Sequence, residues 1–237
     1  EYSLRHFKGI NKLDKFSVKP LTILCGTNCS GKSSFIQSLL LLKQSNKISG
    51  REPLTLNGEY LALGTPEDII FEHNRDNRLN FKLSFNFFYE PYTNEITKFL
   101  QPGLNEDLEV VTVDLSYRIG QFGFILDEMS YSGPNNKSLF YSLKNYETDI
   151  LQLTCTKELT DSKAFCRVVG FDGLVPDIKI LYDLSENTPM ETLDIKDWLQ
   201  RLLGETKQAL KLLLDSFNYV GPFRNPPQRR YNRLELS

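Results

Sequence analysis

Gly26-Thr27-Asn28-Cys29-Ser30-Gly31-Lys32-Ser33 fits the pattern G-x-x-x-x-G-K-[ST] of a phosphate-binding loop. The apolar run Leu21-Thr22-Ile23-Leu24-Cys25 before it predicts a buried strand. Ser33 to Ser45 after it predicts a helix. Strand, loop and helix in that order are the context in which the pattern has a mechanism. Glycines turn successive N–H groups inward around an anion, and the positive end of the helix adds to the field. Lys32 brings a mobile charge for the β- and γ-phosphates, and the Ser33 hydroxyl is placed to ligate Mg²⁺.

Outward from the loop, the chain has the balance of an ordinary folded protein. Its 237 residues are 40% hydrophobic and 24% charged, enough for a full core. A net charge of −2 exerts no general pull on nucleic acid or membrane. No apolar run approaches the ~20 residues of a membrane helix. Cys25, Cys29, Cys155 and Cys166 lack metal-ligand spacing, and with Cys25 in an expected core strand they predict a reduced, cytoplasmic protein. The chain starts at Glu1 without a methionine or a signal peptide. The expectation is an N-terminal portion of a longer protein.

Tyr2 to Phe7 and Phe16 to Val18 read as short strands around a polar turn, Lys8 to Lys15. Within that turn Asn11-Lys12-Leu13-Asp14 matches the guanine-reading N-K-x-D. It stands only 15 residues before the loop, and no D-x-x-G occurs, so a solvated turn is the reading. After the loop, Phe35, Ile36, Leu39, Leu40, Leu41 and Leu42 make a helix that is apolar over most of its circumference, suited to burial against a sheet. Asn80 to Phe88 and Val111 to Ile119 alternate apolar and polar, the mark of half-exposed antiparallel strands. Leu139–Leu143, Ile150–Cys155 and Arg167–Phe171 give weaker strand patterns, with a turn at Gly133-Pro134-Asn135-Asn136. Two helices follow: Ile195, Trp198, Leu199 and Leu202 form one stripe, capped by Gly204. Ala209, Leu210, Leu213, Leu214 and Phe217 form another. Four arginines, Arg224, Arg229, Arg230 and Arg233, then fall within ten proline-rich residues.

Hydrolysis of ATP needs a Walker B acid besides the loop. Phe124-Ile125-Leu126-Asp127-Glu128 is tempting, but Ile180–Asp183 and Leu212–Asp215 compete on equal terms, and Asp127 lies in the antiparallel region. His73 is too near the loop to be a switch histidine.

The loop Gly26–Ser34 resembles the GxNxSGKSS loop of ABC-type ATPases of the SMC and OLD-nuclease group. Leu4 to Ile10 resembles the first strand of those proteins. Tyr219 to Tyr231 resembles the Y-[VI]-G-P-[LF]-R-x-P-P-x-R-x-Y stretch of OLD-like ATPases in bacterial anti-phage loci, the Septu and retron-associated ATPases among them. The resemblance implies an α/β P-loop NTPase of ABC-head type with a large antiparallel insertion and a small helical segment. On this reading 1–50 is the P-loop core, 51–190 a strand-rich lobe, 191–217 a helical segment and 218–237 an Arg/Pro-rich return, all in one partial ATPase head. It implies ATP and Mg²⁺ held by Gly26, Thr27, Asn28, Cys29, Ser30, Gly31, Lys32, Ser33 and Ser34, with Lys32 catalytic and Ser33 on the metal. It implies a homodimer or higher oligomer of heads, an HNH-type nuclease partner, and DNA or RNA as a further partner. No membrane is implied. The chain contains no signature-like loop, so signature loop, Walker B and switch histidine are expected beyond Ser237, on another chain, or nowhere. The alternatives are a non-hydrolysing nucleotide-binding module, a DNA repair or recombination ATPase, and another P-loop enzyme such as a kinase or GTPase.

Overall fold

The computed structural model describes residues 1–19, 21–28, 30–87, 109–132, 140–147, 150–155, 164–181 and 191–219. Cys29, the expected turn Gly133–Asn136 and the arginine-rich stretch from Val220 onward lie outside them.

The fold is mixed α/β, with few helices and one large antiparallel sheet. The strands are β1 (Tyr2–Phe7), β2 (Ile10–Phe16), β3 (Ser49–Gly50), β4 (Leu79–Phe87), β5 (Glu109–Ile119), β6 (Phe124–Ser132), β7 (Phe140–Glu147), β8 (Ile150–Cys155), β9 (Ala164–Asp172) and β10 (Val175–Leu181). Their order is β10-β9-β8-β7-β6-β5-β4-β1-β2, with the short β3 beside β9. Every ladder among the described residues is antiparallel.

Register explains where the core lies. Residues directly opposite one another on neighbouring strands share a face. Leu4, Phe81, Leu115, Met129, Leu143 and Leu153 form one such row across six strands, and all six are buried. The adjacent row, Ser3, Lys82, Asp114, Ser130, Ser142 and Thr154, is polar and faces away. Period-two alternation has therefore placed one apolar face against the helices.

Two helices cover that face. Helix α1 (Lys32–Ser45) is tied to β1 by Tyr2, whose hydroxyl meets Ser38 Oγ at 2.8 Å. Ser38 donates its own hydrogen to Phe35 O at 2.7 Å, so Tyr2 is the donor. Helix α3 (Glu191–Asp215) repeats the device on β7. Tyr141 meets Thr206 Oγ1 at 2.9 Å, and Thr206 donates to Leu202 O at 2.7 Å. The short α2 (Pro66–Ile69) lies between β3 and β4, with Thr65 and Asp68 in a capping box and proline in its first turn.

The end of α1 is buried on all sides, polar residues included. Lys43 Nζ donates to Leu214 O at 3.0 Å and to Phe217 O, closing the carbonyl end of α3. Gln44 uses both ends of its amide: Oε1 accepts from Leu61 N–H at 3.0 Å while Nε2 donates to Thr55 O. Helix, helix and loop are thus fastened at one point.

Four expectations are corrected. Leu21–Cys25 is not a buried strand: it belongs to no ladder, Leu21 is 81% and Ile23 76% exposed, and Cys25 is exposed. A strand needs lateral partners, and no described strand runs beside it; Thr22 instead bonds the Lys19 backbone in a local turn. Lys8–Lys15 is not a polar turn, because β2 begins at Ile10 and pairs back on β1. Its charges belong to an edge strand, where they discourage pairing with other chains. Phe16–Val18 is correspondingly not a strand of its own. Finally, α3 is one helix running through Gly204, not two. Leu199, Leu202, Leu203, Thr206, Ala209, Leu210 and Leu214 form an unbroken buried stripe across the glycine, whose side faces solvent.

Candidate functional site

The phosphate-loop residues come together between β2 and α1. Gly31 takes the left-handed conformation (φ 86°, ψ 1°) as the N-cap of α1, and no side chain caps the helix there. Its first turn carries no acidic residue. The first N–H groups of a helix, together with its dipole, favour an anion at such an end. The chain accepts φ > 0 at Gly31 because a Cβ is absent.

Lys32 opens the helix and folds back over the loop. Its ammonium donates to Gly26 O at 2.8 Å, Thr27 O at 2.6 Å and Ser30 Oγ at 3.1 Å. Gly26 makes this closure possible: a Cβ there would lie 2.8 Å from Ser30 Oγ and 4.0 Å from Lys32 Nζ. The glycine therefore lets Ser30 and Lys32 close against the loop. A tight loop with a cation folded into it, at a helix end that no side chain caps, fits a phosphate group that takes over the Lys32 contacts. Thr27, Asn28, Ser30 and Ser33 are exposed around it, and Ser34 is partly buried. For Mg²⁺ the fit is narrower. Ser33 supplies one hydroxyl in the first turn of α1, and the described residues hold no group of three or more His, Cys, Asp or Glu side chains suited to a metal.

Asp127 and Glu128 lie on β6, flanked by the antiparallel β5 and β7. The β5–β6 register shifts between Ser116↔Glu128 and Tyr117↔Leu126, leaving Asp127 as the extra residue of a bulge. Its carboxylate lies 3.0 Å from Arg78 Nε and 3.6 Å from Arg118 Nε, and it is buried. Glu128 stands opposite Lys144 and accepts from Ser142 Oγ at 3.4 Å. Asp127 is thus held in a structural ion pair that neutralises it. Its two arginines were not foreseen: they are 40 residues apart in sequence, and only the β4–β5–β6 register unites them.

Asn11-Lys12-Leu13-Asp14 lies on β2, where Lys12 Nζ pairs with Asp14 Oδ2 at 2.6 Å on the exposed edge. His73 turns inward on its own segment, with Nδ1 2.7 Å from Glu67 O. Comparisons with family models, with curated proteins and with solved structures give no match to this chain. Among the described residues, no helix is long and apolar enough to cross a membrane.

Proposed function

We propose that the chain binds ATP·Mg²⁺ through Gly26–Ser34 and serves as part of an ABC/SMC-like ATPase head that gates a nuclease partner in anti-phage defence. The observation that carries the nucleotide reading is the loop itself. Gly26 lets the loop fold tightly, Gly31 exposes an uncapped helix end, and Lys32 sets its charge within the loop. Bound phosphate would exchange the neutral acceptors of Lys32 for charged oxygens, a stronger set of bonds. The defence setting rests on the resemblance of the loop and of the arginine-rich Tyr219–Tyr231 to OLD-like ATPases.

A second reading, a nucleotide-binding module without hydrolysis of its own, is favoured by one observation. Asp127, one of the three Walker B candidates in the sequence, is committed to Arg78 and Arg118. Titration calorimetry with ATP and Mg²⁺ tests the shared premise. Lys32→Ala should weaken binding by about tenfold or more, the value of one charge-assisted contact, with the fold intact. Equal ATP affinity in a folded Lys32→Ala protein removes the premise.

A further inference from the structure

The turn between β1 and β2 reaches the start of α1. Ile10, the first residue of β2, lies against Gly31: a Cβ on that glycine would be 3.5 Å from Ile10 Cγ1. Lys8, within the turn, donates from its ammonium to Gln37 Oε1 at 2.7 Å. Gln37 stands four residues after Ser33 on α1. That spacing puts the two side chains on one face of the helix, with Cβ atoms about 5–6 Å apart. Ser33 is exposed there and Gln37 is half-buried.

The backbone fixes Lys8 in this place. Its φ of 49° is left-handed, a conformation that favours glycine. The Lys8 N–H donates to Ile69 O at 2.6 Å, beside the bridge between Phe7 and Ile70, and both isoleucines are buried. The core thus holds the turn in a shape that lysine would not choose alone. The side chain is half-buried as well. Burial pulls its ammonium below the ordinary lysine range, while the field of Asp68 acts the other way. The hydrogen bond that holds this cation ends on a neutral amide. A partly desolvated ammonium gains when a charged oxygen replaces such an acceptor.

We propose that Lys8 is a second cation of the phosphate site, which leaves Gln37 for a phosphate oxygen when the loop is occupied. The inference rests on the reading of Gly26–Ser34 as a nucleotide site. Lys32 is turned into the loop, onto Gly26 and Thr27, whereas Lys8 stands along α1 one turn beyond Ser33. An anion at the helix end therefore has one lysine inside the loop and another within a side chain's reach along the helix. A triphosphate with Mg²⁺ at Ser33 carries more negative charge than Lys32 alone cancels, so a further cation is favourable there. A compact ammonium on a flexible stem suits an exchange of partners of this kind.

Titration calorimetry with Mg²⁺ on the whole chain tests this, with ATP and inorganic tripolyphosphate as the two probes. Lys8→Met should weaken both by the same factor, roughly threefold or more, the value of a charge-assisted bond less the Gln37 bond given up. Lys8→Arg, which keeps the charge, should recover most of that loss. Lys12→Met makes the same change of charge on the exposed edge and should bind like the wild type. Gln37→Met removes the competing acceptor, so affinity should be equal or higher. A bond that only braces α1 predicts the reverse: Gln37→Met would then weaken binding as much as Lys8→Met. That result overturns the proposal. So does full affinity in a folded Lys8→Met protein, or a loss seen with ATP and absent with tripolyphosphate. In each of these cases the loop reading stands if Lys32→Ala still weakens both probes; a wild-type chain that binds neither probe ends both readings.

Discussion

The Lys32 ammonium has three hydrogens and, in the loop, three acceptors: two carbonyls and a hydroxyl. Anion binding at this residue is an exchange of partners and not a simple gain, so loop and lysine must rearrange together. Cys25, exposed beside Gly26, reports that rearrangement. Thiol alkylation followed by peptide mapping should label Cys25 readily in the native protein, and ATP should slow it. Cys166 should stay unlabelled at pH 8, because burial pushes its thiol up to about 12 and leaves little thiolate. Rapid native labelling of Cys166 contradicts its burial. Asp172 offers a test of pH dependence. Its carboxylate accepts from Lys207 and from Ser49 Oγ at 2.9 Å, and these bonds hold it below its ordinary range. A depressed acid stabilises the fold above its unfolded value of about 3.9 and loses that contribution as pH falls through the lower folded value. Asp172→Asn should therefore lower stability at pH 7 slightly and flatten the loss of stability below pH ~4, read by urea melts across pH. An unchanged acid limb argues against those bonds in solution.

Among the elements, α3 gives the sharpest test of how glycine should be read. Gly204 lies in the interior of the helix, and a Cβ there would meet nothing within 4 Å. Gly204→Ala should stabilise the protein by roughly 0.5–1 kcal/mol, since alanine restricts the unfolded chain and suits the helix. A glycine cap between two helices predicts the opposite sign, so a denaturation midpoint decides between them. The same physics separates what was legible in the sequence from what was not. β4 and β5 were plain because Leu79–Leu83 and Val111–Tyr117 alternate without interruption. β6 was not, because the bulge at Asp127 breaks its period. β10 contains Pro176, which reads as a breaker but is tolerated on an edge strand. The glycine-rich loop Gly26–Ser33 is contiguous in the sequence, so its place ahead of α1 needs no long-range register to be read. The run Leu21–Cys25 was misread because apolarity reports a wish for burial, while a strand also needs a neighbour to pair with.

At the scale of the whole molecule, the loop hangs from the edge of an antiparallel sheet through β2 on one side and enters the core through α1 on the other. Ligand that binds only the native state stabilises it by mass action, about 2.7 kcal/mol at a hundredfold excess over the dissociation constant. ATP with Mg²⁺ should therefore raise the melting temperature of the chain. Turnover should stay near background, since phosphoryl transfer also requires a placed water and further charge neutralisation. Brisk turnover by the isolated chain, abolished by Glu128→Gln, defeats this and makes Asp127-Glu128 the catalytic pair.

The seam between β1 and β4 has a kinetic consequence. Leu4 pairs with Phe81 although the loop, α1 and α2 all intervene between them. During synthesis the β1–β2 hairpin leaves the ribosome long before its permanent neighbour exists, and a chain segment of that length closes slowly against its own entropy. Until β4 arrives, the apolar side of the hairpin and the flank of α1 are uncovered, an aggregation hazard for a nascent chain. The glycine-rich loop is thus among the first parts to be made and among the last to be set in place.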